Sequence, residues 1–417
     1  MGKKYIDTSW DFKKEDTKIY THCFHAYPAM MIPQVAGRLI EKYGEKSKLL
    51  FDPYCGTGTS LVEANLRNIK AIGTDLNPLA RLVAKAKTTI LNIKTLDLYL
   101  KDFNDILFDF RFGIKPNIET SIPEFKNIDY WFSKDIQIRL SIIKHHIEKI
   151  DDEAIQNFFK VAFSETVREC SWTMNSEFKL LRMSPKQIEK FNPDVFGIME
   201  FKLSRNRNGL LRYQRAKNNS KANTEIYAFN TVKFIPQEIL SEYSVDLVLT
   251  SPPYGDSRTT VAYGQFSRLA NQWLNVADAS NVDKELMGGK RAQNGHHFDI
   301  DILDETIGRI GNKDEKRGKD VIAFFKDYEL SINNISKVIR RRGHVCYVVG
   351  NRNVKSVTIP TDEITKKLFE KYGFRHNETI IRNIPNKRMP LENSPSNIVG
   401  EKSPTMKNEY IVICQKS

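Results

Sequence analysis

Apolar positions in this chain follow one rhythm, lose it, and then return to it. Lys48-Leu49-Leu50-Phe51-Asp52, a Gly-rich turn, the stretch SLVEANLRN and then Lys70-Ala71-Ile72-Gly73-Thr74 read as strand, turn, helix and strand. Ahead of them QVAGRLIEKYG puts Val35, Leu39 and Ile40 on one helical face, with Gly44 as the stop. The polar residues 1–20 predict a peripheral arm or edge. From about 95 to 222 the strand–helix alternation disappears. SKDIQIRLSIIKHHIEKI and EAIQNFFKVAFSETVREC have helical spacing, and Ile138, Ile142, Ile143 and Ile147 are predicted to form one core-facing stripe. Strands resume at Thr224–Asn230 and at Val245-Asp246-Leu247-Val248-Leu249, an apolar run ending in Thr250-Ser251-Pro252-Pro253-Tyr254. Beyond it lie a helix (FSRLANQWL), a Gly-rich charged stretch at 281–319 expected to be mobile or to order only with a partner, and a long helix from Val321. Strand HVCYVVGN, helix TDEITKKLFEKYGF and strands ETIIRNI and EYIVICQK complete the pattern, and no repeat is visible.

Two of these turns carry chemistry. In Ser251-Pro252-Pro253-Tyr254 the prolines fix φ twice and donate no N–H, so nearby carbonyls stay free to accept. A hydroxyl, free carbonyls and an aromatic face at a strand's carboxyl end suit an exocyclic amine on a planar base. A plain Pro-Pro turn after a core strand is the bland alternative. In the other turn, Gly56 and Gly58 let the backbone approach a ligand, and the helix behind them offers N–H groups. Asp75, at the tip of the next strand, stands where a doubly wound sheet presents a carboxylate to ribose hydroxyls. The glycine spacing is not that of a dinucleotide fingerprint. Asn230 ends the next strand and offers an amide to an adenine edge.

With 417 residues, the chain has room for two or three domains. A net charge of +13 favours a polyanionic partner, with merely solvated lysine faces as the alternative. Basic residues interleaved with Tyr213 near the end of the helical block, namely Arg205, Arg207, Arg212 and Arg215, suit phosphate and base-edge contacts; a solvated basic loop is the alternative. No apolar run is long enough to span a bilayer, and no signal-peptide core opens the chain. Five scattered cysteines without CxxC spacing point to a reduced, cytoplasmic setting without zinc or disulfides. His22 and His25 lack further ligands nearby, so packing or hydrogen bonding is expected of them rather than metal binding.

Taken together, Phe51-Asp52-Pro53-Tyr54-Cys55-Gly56-Thr57-Gly58-Thr59 and Thr250-Ser251-Pro252-Pro253-Tyr254 resemble the cofactor loop and catalytic motif of the amino-group DNA methyltransferases, N4-cytosine branch. The resemblance implies a Rossmann-like α/β methyltransferase: a central, mostly parallel seven-stranded sheet flanked by helices, plus a mainly helical insert. Residues 1–94 and 223–417 would be its two parts. Residues 95–222 would be the insert, assigned to target recognition by its place between the two motifs, with a mere brace as the rival reading. The implied cofactor is S-adenosylmethionine, held by Asp52, Tyr54, Cys55, Gly56, Thr57, Gly58, Thr59, Asp75, Leu76 and Asn230. Tyr27, Pro28 and Ala29 resemble the segment closing over its methionine end, though Met30 stands where the family often has lysine, and Asn230 where it usually has an acid. Implied partners are double-stranded DNA and a separately encoded cognate restriction endonuclease, with no membrane. Catalysis falls to Ser251, Pro252, Pro253 and Tyr254. A flipped base would stack on Tyr254, the loop Asp256–Gln265 would close over it, and Arg258 would take a phosphate. Adenine-N6 chemistry is the near alternative; RNA amino methylation and a non-catalytic binding partner are more distant ones. Cytosine-C5 chemistry is excluded, since it uses a cysteine that follows proline and none does here.

Overall fold

The computed structural model describes residues 2–113, 122–174, 177–218, 220–277, 279–385, 392–393, 403–404 and 406–417. Its first half comprises β1 (Lys3–Ile6), α1 (Pro33–Tyr43), β2 (Leu49–Asp52), α2 (Thr59–Leu66), β3 (Lys70–Thr74), α3 (Pro78–Thr88), α4 (Ile93–Arg111), α5 (Ile128–Trp131), α6 (Lys134–Glu148), α7 (Glu153–Glu169), α8 (Pro185–Glu189) and α9 (Val195–Lys217). The second half comprises β4 (Thr224–Tyr227), β5 (Val245–Thr250), α10 (Tyr263–Trp273), α11 (Val282–Glu285), α12 (Asp301–Lys313), α13 (Glu315–Val338), β6 (Ile339–Val349), β7 (Asn353–Val354), β8 (Val357–Thr358), α14 (Thr361–Lys371), β9 (Phe374–Asn383), β10 (Glu392–Asn393), β11 (Ser403–Pro404) and β12 (Asn408–Lys416).

Strands that are apolar at every position need cover on both faces, and the sheet supplies it by alternation. Leu50, Leu247 and Leu249 turn to one side, into a core with Val35, Leu39 and Leu61. Phe51 and Val248 turn to the other, onto Tyr328, Ile332 and Phe325 of α13. The sheet order is β1-β9-β12-β6-β5-β2-β3-β4. Every neighbouring pair is parallel except those of β12, which runs antiparallel to β6 and β9. This is the expected Rossmann-like methyltransferase sheet with one strand more than the seven predicted. The extra strand is the polar N-terminal arm: β1 is exposed at all four positions but pairs with β9, where the Tyr5 hydroxyl donates to Glu378 (2.5 Å). An edge strand can be held by its backbone ladder without burying a face.

Asp246 interrupts the apolar run of β5 for a local reason. Its carboxylate accepts the N–H groups of Lys48 (2.6 Å) and Leu49 (2.8 Å) and pairs with Arg340 (2.7 Å), at a shift in the β5–β6 register. It thereby fixes where β2 begins relative to β5.

Helices α4–α9 lie between β3 and β4 in sequence, but their core is shared with the sheet's own helices. Phe158, Phe159, Val167 and Met199 pack in one cluster with Val62 of α2 and Leu79 and Val83 of α3. In α6 the buried stripe is Ile136, Leu140, Ile143 and Ile147, with Ile142 beside it. Ile138, predicted to belong to that stripe, is 48% exposed because it falls on the opposite side of the 4-3-4 spacing. The charged stretch 281–319 also departs from expectation. It contains α11, α12 and the start of α13, and Leu303 and Ile310 of α12 pack onto the α13 core.

Candidate active site

Because β2, β3, β4 and β5 are parallel, their carboxyl ends open on one edge, where ligands bind in doubly wound sheets. An open cleft lies there, with ≈ 1040 Å³ of empty space when the solvent at its mouth is included. Tyr27–Met31, Asp52–Thr57, Thr59, Asp75–Asn77, Phe229, Asn230, Ser251, Pro253, Tyr263 and Met287 contribute to its walls. Two motifs almost two hundred residues apart therefore share one cavity.

Asp52 ends β2 and is 3% exposed. Its carboxylate accepts the Tyr54 N–H (3.1 Å), the Thr250 hydroxyl (2.6 Å) and the Ser60 hydroxyl. Burial outweighs those three donors and pushes the carboxyl up to about 6. The bond from Thr250 ties the end of β5 directly to the cofactor loop. Asp75 accepts the N–H groups of Gly56 (3.0 Å) and Asn77 (2.8 Å), and burial likewise raises its carboxyl.

Between the two acids the loop takes left-handed turns at Gly56 (φ +49) and Gly58 (φ +76). A Cβ at Gly56 would meet no atom within 4 Å, so the backbone there faces open space. Helix α2 then starts without any side-chain cap on its first N–H groups. Tyr54 turns its hydroxyl to Ser331 (2.5 Å), and Cys55 is buried, its thiol pushed up by burial. Anionic groups at both ends, uncapped helix donors between them, and apolar Leu76, Phe229 and Met287 fit S-adenosylmethionine: a cationic amino-acid end, a ribose diol and an adenine.

The opposite wall is the segment from Tyr27 to Met31. Tyr27 stacks on Tyr263 (centroids 5.8 Å apart, planes 15° apart), and its hydroxyl accepts from the Asn77 amide (2.8 Å). Ala29 is left-handed (φ +53), and Met30 sulfur accepts the Thr57 hydroxyl (3.1 Å), bridging the wall to the glycine loop. Glu165 of α7 holds this segment from behind. It accepts the Ala26 N–H (2.7 Å) and pairs with Arg205 (2.5 Å) and Lys202 (3.5 Å) of α9. His22 and His25 also serve as hydrogen-bonding groups, to Glu63 (2.9 Å) and Ser164 (3.1 Å), and burial pushes both down to about 4.

At the end of β5 the Ser251 hydroxyl donates to the Val348 carbonyl (3.1 Å) and lies 3.3 Å from the Tyr254 hydroxyl. Ser251 and Pro253 line the cleft; Pro252 is buried. Tyr254, half-buried, points its hydroxyl at Glu409 of β12 (3.0 Å), and Glu409 is itself paired with Arg382. Of the residues predicted for the cofactor, all but Gly58 line the cleft. Asn230 does so while its side chain accepts the Val232 N–H (2.9 Å).

Four of the predicted nucleic-acid residues lie on α9, and Arg258 lies in the loop after Tyr254. Arg205 is engaged by Glu165, and Arg207 pairs with Asp97 (2.6 Å) through two nitrogens. Tyr213 is fully buried, with its hydroxyl near Asn65 (3.3 Å). Arg212 and Arg215 on α9, and Arg258 in the loop after Tyr254, are exposed. The residues that went unread were Thr250, Tyr263, Asn77, Glu165 and Glu409. Asn77 alone carried a local signal, the Asn-Pro start of α3, whose N-cap it is.

Among the described residues no group of His, Cys, Asp and Glu is placed to hold a metal ion, and no helix is long and apolar enough to cross a membrane. Residues 2–85 match a family model for N6/N4 DNA methylases. Over 439 aligned residues, covering 99% of this chain and 95% of the other, the sequence is 38% identical to type II methyltransferase M.MvaI of Kocuria varians. It is 32% identical over 90 residues, 22% of this chain and 17% of the other, to type II methyltransferase M.MjaII of Methanocaldococcus jannaschii. A solved structure, the rRNA methyltransferase aviRa from Streptomyces viridochromogenes, aligns over 94% of this chain and 88% of its own at 11% identity, with a TM-score of 0.34. Near-complete coverage by a type II relative, on a sheet edge that unites the two motifs, means that the chain belongs to the type II amino-group DNA methyltransferases of restriction-modification systems, with S-adenosylmethionine as methyl donor.

Proposed function

We propose that the protein methylates the exocyclic N4 amine of a cytosine flipped out of double-stranded DNA. The observation that carries this is the Ser251 hydroxyl. It spends its hydrogen on the Val348 carbonyl, so its lone pairs remain to accept from an amine. The Pro252 carbonyl is a second acceptor, and proline leaves no N–H there to compete. Cytosine N4 is a weak nucleophile because its lone pair is delocalised into the ring. Two acceptors on its hydrogens favour a more tetrahedral nitrogen. Bound S-adenosylmethionine supplies a methyl group activated by its sulfonium. Ser251 and the Pro252 carbonyl would hold N4 facing that methyl carbon, and the surplus proton on N4 would leave for solvent once the methyl group had passed from sulfur to nitrogen. Orientation is the main requirement. Asp52 would hold the cofactor's amino-acid end and Asp75 its ribose. Tyr254, anchored through Glu409, would offer its ring to the base, and exposed Arg258 would take a phosphate as the loop closes.

Helices α6, α7 and α9 would brace the cofactor segment through Glu165, leaving target recognition to the outer parts of residues 95–222. A separately encoded endonuclease and a cytoplasmic location accompany the reading. The test is incubation of purified protein with unmethylated genomic DNA and S-adenosylmethionine, followed by nucleoside mass spectrometry. N4-methylcytosine is expected. N6-methyladenine would keep the mechanism and overturn the base. Ser251→Ala should lower turnover by about 10²-fold, as for one hydrogen bond strengthened in the transition state; full turnover in a folded variant would end Ser251's assignment.

A further inference from the structure

Between α7 and α8, residues 172–174 lie against residues 181–183. Thr173 bridges Arg182 in antiparallel fashion, Met174 N–H donates to the Leu181 carbonyl (2.8 Å), and Met183 N–H to the Trp172 carbonyl (2.8 Å). This hairpin is fastened to the first turn of α10. The Leu180 N–H donates to the Gln265 side chain (3.3 Å), and Arg168 donates both to the Glu177 carbonyl and to the Phe266 carbonyl (3.2 Å). Tyr263, two residues before Gln265, lines the cleft.

The hairpin's outer side combines apolar surface with positive charge. Phe178 is 42% exposed, Leu181 45%, and Tyr130, which Arg182 reaches, 48%. The Arg182 guanidinium lies over the Tyr130 ring (4.3 Å) and the Trp172 ring (5.2 Å). Lys179, Lys186 and Lys190 are exposed along the same stretch of chain, which also exposes Glu177 and Glu189 and so keeps a net positive charge with Arg182. Exposed aromatic and aliphatic side chains among cations are what a groove wall and its phosphates require. A surface meant for a second copy of the chain would not need the cations. Position adds to the argument, because a base entering the cleft brings its duplex against whatever borders Tyr263.

We propose that this hairpin is a contact surface for duplex DNA beside the cleft, with Phe178 and Leu181 against base or sugar edges and Lys179 on a phosphate. It rests on the reading that the cleft takes its base from duplex DNA. These positions differ from the α9 arginines, of which Arg205 pairs with buried Glu165 and Arg207 with half-exposed Asp97.

The test uses the full chain with Lys179→Ala and Phe178→Ala. Affinity for unmethylated duplex DNA is measured across salt concentrations, alongside S-adenosylmethionine affinity and melting temperature. Both side chains are exposed, so both variants should melt and bind cofactor as the parent does. Lys179→Ala should weaken DNA binding about five- to tenfold and lower the slope of log K against log salt by about one. Phe178→Ala should raise KM for DNA about tenfold and leave that slope alone. Unchanged DNA affinity, KM and salt slope in both variants would overturn the proposal. A parent protein that methylates RNA and ignores duplex DNA would instead overturn the reading of the cleft, and shows itself without any variant.

Discussion

Replacing Asp52 by Asn separates the demands of folding from those of binding. The Asp52 carboxyl rises from its ordinary 3.8 to about 6 because burial outweighs its three donors. That rise of about two units corresponds to about 3 kcal/mol. Its sign follows from linkage: a carboxyl raised above its unfolded value contributes stability that is present below about pH 4 and is lost as pH rises through about 6. At pH 7.5 the ionised group therefore burdens the cofactor-free protein. Asn removes the charge but accepts less well from Tyr54, Thr250 and Ser60, at a cost of about 1 kcal/mol for an acceptor not replaced. The variant should gain about 1–2 kcal/mol over the parent at pH 7.5, and the gain should vanish near pH 4. If Asp52 holds the cofactor's amino group as proposed, losing that charge-assisted bond should weaken S-adenosylmethionine binding by about 10- to 100-fold. Urea unfolding between pH 4 and 8 and calorimetric titration measure the two effects. A variant less stable than the parent at pH 7.5, with the gap widening as pH rises, would refute the reasoning.

Three further perturbations follow from the same geometry. Gly56→Ala meets no neighbour, only the left-handed backbone, so it should lose about 1–2 kcal/mol in urea unfolding while its methyl group, in the open cleft, raises the cofactor Kd at least tenfold. Glu165→Ala leaves Arg205 without its buried partner and frees the Ala26 N–H; about 3 kcal/mol of stability should go in urea unfolding, with a raised KM for cofactor that Glu165→Gln partly rescues. His22 and His25, held down to about 4 by burial, contribute stability present above about pH 6.5 and lost as pH falls towards 4, up to about 3 kcal/mol each. His25→Gln should flatten that acid limb, which runs opposite to the Asp52 effect, and an unchanged limb would show His25 charged in the fold.

The sequence by itself determined the parts whose forces are local. A Gly-x-Gly turn after an apolar run, an acid at the next strand's tip, and Ser-Pro-Pro after Val245–Leu249 each constrain φ, donors or periodicity within a few residues. Parallel strands in a doubly wound sheet must then bring those tips to one edge, which is why Asp52, Asp75 and Ser251 were legible together before any coordinates. Tertiary structure alone decided the rest. Arg205 and Arg207 look free along the chain, but their partners, Glu165 and Asp97, lie 40 and 110 residues away. Tyr213 looks like a recognition aromatic until α9 turns it into the core, and Tyr254's hydroxyl finds Glu409 155 residues on. β1 has no apolar face to announce it and is held by a ladder to β9. Local propensity cannot say which charge will meet which across a fold; where one partner is buried, as Glu165 is beneath Arg205, low dielectric then makes the meeting strong enough to fix what that side chain is left free to do.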